Sequence, residues 1–192
     1  LLTRDGHFIQ LFHGTTMHGA QQADPATGKP IAPDRPTSYY YQGSPYAQVF
    51  DTVVAPRPKP RVGIAGLGAG ALAGFANTGW EMRFFEVDPL VLWAAERSGH
   101  FSFLPGARQR GARIETIIGD ARLTIAREPD NSFDLLALDA FSGRDPAYPL
   151  EAMLEAEAGR GSTCFFLTRQ EDPHDGYPER YQPALSDALE QS

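Results

Sequence analysis

The chain predicts an α/β fold in which a parallel sheet is covered by helices, and three observations carry that reading. From Arg61 onward, short apolar runs alternate with segments of helical character. The runs at 62–65, 82–87, 113–118, 133–138 and 163–168 read as strands apolar on both faces, as buried parallel strands are. The first of them leads into Gly66-Leu67-Gly68-Ala69-Gly70, three alternate glycines that let a backbone turn tightly and let a ligand come close to it.

Ahead of that pattern lies a region of different character. The chain begins at Leu1 without a methionine, so a piece of a longer protein is expected. Residues 5–22 alternate loosely around Gly14 and read as a small hairpin. Residues 23–37 hold Pro25, Pro30, Pro33 and Pro36 among polar spacers, which makes a loop. Tyr39-Tyr40-Tyr41 follows, then an apolar turn of helix at 47–54, and Pro56, Pro58 and Pro60 stiffen the link into the first parallel strand. Helices are expected at 70–77, 89–97, 121–127 and 149–157, with a short one at 183–189. Pro89 suits a first helical turn, where its missing N–H is not needed. The division is therefore an N-terminal β-region and linker over 1–60 and a nucleoside-binding catalytic domain over 61–192. No final strand pair is legible after Thr168, so the second domain is expected to be incomplete at its C-terminus.

Composition narrows the function classes. At 192 residues, with 42% hydrophobic and 21% charged residues, the chain has the makings of an ordinary globular core. Its net charge of -7 advertises no basic face for nucleic acid and is better matched to a cationic small molecule. No apolar run is long enough to span a membrane, and no signal peptide is legible. Cys164 lies in an apolar run and reads as a buried strand residue; a single cysteine fits a reducing compartment, here the cytoplasm.

In open parallel sheets, ligands sit outside the carboxyl ends of the strands. Those ends carry the turn with Gly66, Gly68 and Gly70, then Glu86 and Asp88, then Asp120 before Ala121, and finally Asp139. Glu86 follows the first glycine by about 20 residues, the spacing of an acid that accepts from ribose hydroxyls. Asp88 reads equally as a second sugar contact or a solvated strand-end acid. Asp120 reads either as the N-cap of the helix that Ala121 opens or as an acceptor for an adenine amino group. Asp139 ends an apolar strand, where a carboxylate can orient an amine or take its proton. Asp134, at the other end of that strand, reads as structural. The tyrosine run can wall a pocket for an alkyl amine, since aromatic faces attract cations, or pack as a strand. His13 and His18 lack an acid or cysteine at ligand spacing, so no metal is expected.

These residues, taken together, resemble spermidine synthase-like proteins, the polyamine aminopropyltransferases. The glycine turn, Phe85-Glu86-Val87-Asp88-Pro89, Ile118-Gly119-Asp120-Ala121-Arg122 and the run from Phe133 to Ser142 carry the likeness. So do the segment from His13 to Gln21 and Pro36-Thr37-Ser38-Tyr39-Tyr40. The nearest likeness is to a bacterial branch often fused to a membrane region. The resemblance implies a Rossmann-like class I methyltransferase fold behind a small β-region; the sequence leaves a homodimer open. It implies aminopropyl transfer from decarboxylated S-adenosylmethionine to putrescine, without a metal. It further implies that Gln21 contacts the donor, Glu86 its ribose and Asp120 its adenine. Asp139 would position and deprotonate the amine, and Tyr40 would wall its pocket.

Two positions depart from that pattern. The family usually has an aspartate in the glycine turn, where this chain has Ala69, and a second acid three residues after Asp139, where it has Ser142. Both would otherwise meet ammonium groups. Ordinary S-adenosylmethionine as donor, or a different acceptor, is the alternative. That leaves open a methyltransferase, a sulfonium lyase or cyclase, and a non-catalytic nucleoside-sensing domain.

Overall fold

The structure, a computed structural model, describes residues 2–4, 6–13, 16–139 and 164–166. Two sheets organise them. The N-terminal region is a three-stranded antiparallel sheet of β1 (Leu2–Arg4), β2 (Phe8–His13) and β3 (Thr16–Gln22), in that order. The expected hairpin is thus its β2–β3 part. Leu2-Thr3-Arg4 joins as a third strand because Leu2 pairs with Leu11 and Arg4 with Ile9, extending the apolar face of β2. The register of β2 against β3 shifts at a bulge between Leu11 and Phe12.

Between the sheets, a 3-10 turn at Ser38–Tyr40 precedes α1 (Pro45–Val49), which continues as a wider π-turn over Phe50–Val54. Ser44 caps α1 by accepting from the Ala47 amide at 3.2 Å, and Pro45 fills the first helical position.

The second sheet is parallel throughout: β4 (Arg61–Ala65), β5 (Glu81–Glu86), β6 (Arg113–Ile118), β7 (Leu135–Leu138) and β8 (Cys164–Phe166). Their order, β6-β5-β4-β7-β8, reverses direction between β4 and β7. This is the doubly wound, Rossmann-like arrangement, and the reversal marks the crevice where such sheets take ligands. Strand alternation sorts the core. Val62, Ile64, Met82 and Phe84 face the large cluster with Leu72, Phe103 and Leu104, while Ala65 and Phe85 face Ile125, Phe133 and Leu136. Shielding on both faces explains why β4 and β7 lack a polar side, whereas the edge strand β6 alternates, with Ile114 buried and Arg113 and Glu115 exposed.

Helices depart from expectation more than strands. The segment 70–77 is a 3-10 turn at Ala71–Phe75, not an α-helix. Arg110 takes the carbonyls of Ala73 and Ala76 at 3.0 and 3.1 Å, replacing the helical bonds that would carry the turn onward. The segment Pro89–Arg97 forms as α2 (Pro89–Leu92) with a π-turn at Trp93–Arg97. An unforeseen helix, α3 (Phe103–Gln109), precedes β6, and α4 (Ala121–Ile125) follows it. The helices expected at 149–157 and 183–189 lie outside the described residues, and among those described no helix is long and apolar enough to cross a membrane.

Candidate functional site

Backbone bonds draw the strand tips into one rim. Gly66 N donates to Phe85 O at 2.8 Å, Gly119 N to Glu86 O at 2.9 Å, and Asp139 N to Ala65 O at 2.8 Å. The glycine turn, Glu86, Asp88, Asp120, Ala121 and Asp139 therefore share the carboxyl edge of the sheet. Gly66, Gly68 and Gly70 have φ of 100°, 52° and 79°, the left-handed region open to glycine, so the alternate spacing of the motif is a conformational requirement.

Glu86 is 8% exposed, and its two oxygens are each engaged once. Oε2 accepts from Leu67 N in the turn at 3.0 Å and Oε1 from Asp88 N at 2.9 Å. It thereby ties the glycine turn to the end of β5, and each oxygen keeps a lone pair for a further donor. Asp88 caps α2 by accepting from Leu90 N at 2.8 Å. Asp120 caps α4 through Arg122 N at 3.0 Å and pairs with the Arg122 guanidinium at 2.5 Å, which holds its carboxyl below the usual range. Ala121, the first residue of α4, packs against the cluster around Phe85.

Asp139 is met from the N-terminal region. Tyr40 donates its hydroxyl to Oδ2, and Tyr46 donates to Oδ1 at 2.8 Å. Thr37 hangs this segment on β3 by donating to Ala20 O at 2.6 Å, and Tyr39 by donating to Met17 O at 3.1 Å. Ser38, in the left-handed region at φ 60°, sets the turn that carries Tyr40 inward. Burial raises the Asp139 carboxyl from 3.8 to about 7, against the opposing pull of the two hydroxyls. Tyr40 and Tyr46 are held well above their ordinary value, first by burial and then by the Asp139 charge, so both stay protonated donors. A half-buried acid whose proton affinity is raised toward neutrality, gripped by two neutral donors, is suited to exchanging a proton with an amine.

Gln21, on β3, bonds to the loop and to the start of α3. It is 0% exposed; its amide nitrogen donates to Ile31 O at 3.0 Å and Ser102 Oγ at 2.7 Å, while its oxygen accepts from Ser102 N at 2.8 Å. These bonds stitch β3 to the start of α3. Gln21→Ala is expected to lower unfolding free energy by about 1–3 kcal/mol, because it leaves the Ser102 amide without its acceptor and Ile31 O and Ser102 Oγ without their donor; chemical denaturation measures it.

Tyr46 is the site residue that sequence reasoning missed. It lies one position inside a capped helix, where a lone tyrosine reads as core, and its partner is 93 residues away. At the opposite edge of the sheet, a hollow lined by Arg61, Glu81, Arg83 and Phe133 offers no comparable chemistry. Arg61 is already paired with Asp134 at 3.7 Å, and Arg83 with Glu115 at 3.1 Å and with Glu128.

The fold class is thus a Rossmann-like α/β domain behind a small antiparallel sheet. No model of a known protein family matches the chain, and no curated protein matches it either. Similar solved structures include an arsenic(III) S-adenosylmethionine methyltransferase from Chlamydomonas reinhardtii, 24% identical over 56% of this chain and 38% of that one, TM-score 0.41. Spermidine synthase from Thermotoga maritima is 17% identical over 74% of this chain and 47% of that one, TM-score 0.40. Aeropyrum pernix fibrillarin, in complex with natively bound S-adenosyl-L-methionine, is 14% identical over 99% and 87%, TM-score 0.43. The chain spans less than half the length of the first two, and its own strand order, rather than these likenesses, establishes the fold.

Proposed function

We propose that the chain is a spermidine synthase-like transferase that moves an aminopropyl group from decarboxylated S-adenosylmethionine to an amine such as putrescine. The observation that most supports this is Asp139, gripped by Tyr40 and Tyr46 at the tip of β7, one strand from the glycine turn. In this reading the turn and Glu86 hold the nucleoside, and the spare lone pairs of Glu86 suit two ribose hydroxyls. Asp88, Asp120 and Ala121 border the sugar and base.

The donor supplies, when bound, a carbon already activated by its sulfonium. The amine nitrogen forms the new C–N bond as the C–S bond breaks with its electron pair left on sulfur, and the amine proton passes to Asp139. The products are the extended amine and methylthioadenosine. Alignment of nitrogen, carbon and sulfur can supply several kcal/mol of barrier lowering. We further propose a cytoplasmic setting, in keeping with the single cysteine, as a homodimer or beside a membrane region outside this chain.

Methyl transfer from ordinary S-adenosylmethionine is the second reading, and Ala69 favours it. Ala69 is buried against β3, its amide donating to His18 O at 3.1 Å, so the turn presents no acid to a donor's amine at that position. Mass spectrometry of products separates the two: the extended amine together with methylthioadenosine marks aminopropyl transfer, methylthioadenosine without it marks a lyase or cyclase, and S-adenosylhomocysteine marks methylation. Neither product, despite tight nucleoside binding, would leave a sensing domain. Glu86→Ala is expected to weaken methylthioadenosine binding by about 1–3 kcal/mol in calorimetry, through lost charged hydrogen bonds. Unchanged affinity would remove Glu86 from the ribose.

A further inference from the structure

We propose that Tyr46 is a positioning residue for this transfer: with Tyr40 it pins the Asp139 carboxylate at both oxygens and sets the edge that carboxylate shows to the acceptor. The inference rests on the function proposed above. A single contact would leave the carboxylate free to swing about its Cβ–Cγ bond, whereas bonds to Oδ1 and Oδ2 from two separate elements fix its plane. Each oxygen then retains one lone pair for the incoming nitrogen.

Packing alone does not account for a tyrosine here. Tyr46 is 6% exposed and its ring lies 5.2 Å from that of Tyr40, tilted by 51°. Phe50, one turn further along the same helical segment, fills the core without a hydroxyl. A ring would therefore suffice at 46, while a buried hydroxyl is costly unless it is bonded. Its bond goes to Asp139. The support beneath it is firm, since Ser44, which caps the helix, is 0% exposed. Among the described residues, the titratable groups facing Asp139 are Tyr40 from the 3-10 turn and Tyr46 from α1, with the Tyr39 ring 4.3 Å from that of Tyr40 and tilted by 52°.

Tyr46→Phe in the full chain tests this in two ways. Infrared difference titration follows the Asp139 carboxyl, identified by the band that Asp139→Asn removes. Loss of a donor that favours the carboxylate should raise its midpoint by about one pH unit, and Tyr40→Phe should move it the same way. A Tyr46→Phe midpoint equal to that of the parent overturns the proposal, and this readout needs no turnover. With decarboxylated S-adenosylmethionine and putrescine, kcat should fall about tenfold to a hundredfold while the donor KM stays within about twofold. The acid limb of kcat/KM should rise with the infrared midpoint. Unchanged kcat, or a loss confined to KM, also overturns it. If the parent protein forms no methylthioadenosine, the proposed function fails, and the infrared midpoint still decides whether Tyr46 holds Asp139.

Discussion

Asp139→Asn is expected to cut turnover by about 100- to 10,000-fold, the range for loss of a general base, and to leave nucleoside affinity within a few-fold. The separation follows from placement. Asp139 sits at the tip of β7, whereas Glu86, the proposed sugar contact, ends β5 on the far side of β4. Asparagine keeps the shape and can still accept from one hydroxyl, so the loss reports proton transfer rather than collapse of the rim. Turnover and methylthioadenosine affinity, measured on the same preparation, check it. Equal turnover in the two proteins would remove the proposed role of Asp139.

The same residue dictates a pH dependence. Its carboxyl stands near 7 in the folded protein and near 3.8 when freed from burial. As a base it must be ionised, so activity should rise through about pH 7. Stability should run the other way. Between those values the folded state holds a proton that the unfolded state has released, so stability falls as pH rises from about 4 and levels off above about 7. The full difference corresponds to about 4 kcal/mol, an upper bound because the side chain keeps some solvent contact. Asp139→Asn should flatten this slope in denaturation measured from pH 4 to 8. Tyr40 and Tyr46 leave the window undisturbed, being protonated in both states throughout it.

The sheet was the most legible part of the chain, because strands buried on both faces, such as β4 and β7, are written in consecutive apolar residues, and the edge strand β6 in β-branched ones. Arg113–Ile118 matches its predicted bounds, and Arg61–Ala65 and Glu81–Glu86 fall within one residue of theirs. Helices were harder. The helix Phe103–Gln109 went without a prediction; it contains Pro105 and Gly106, but Pro105 stands in the first turn, where no amide is needed, and Gly106 makes room for Pro33. The rim acids were visible because strand ends are visible. Their partners were not: a carboxylate in a sequence does not show whether its oxygens meet a ligand, a helix amide as for Asp88, or an arginine as for Asp120. Tyr40 stood out in its run of three, but nothing local distinguished Tyr46.

Gly68→Ala is expected to cost about 2–5 kcal/mol of unfolding free energy, from a left-handed backbone plus an overpacked contact. The turn at φ 52° is strained for alanine, and the added Cβ would fall on the carbonyl oxygen of His18 in β3. That carbonyl cannot retreat freely, since it accepts from Ala69 N at 3.1 Å. Next to it, a Cβ on Gly19 would lie 2.6 Å from that of Ala69, so the two backbones already touch. The N-terminal sheet is therefore seated directly on the glycine turn. Gly99→Ala supplies the control: its φ is 72°, yet nothing lies within 4 Å of the added carbon, so it should cost about 1–2 kcal/mol from backbone strain alone. The excess at Gly68 measures the seating of β3 on the turn, and hydrogen exchange should show the Ala69 amide losing protection in that variant. Equal losses in the two variants would mean that the sheet yields without cost and that the two units are not held together at this turn.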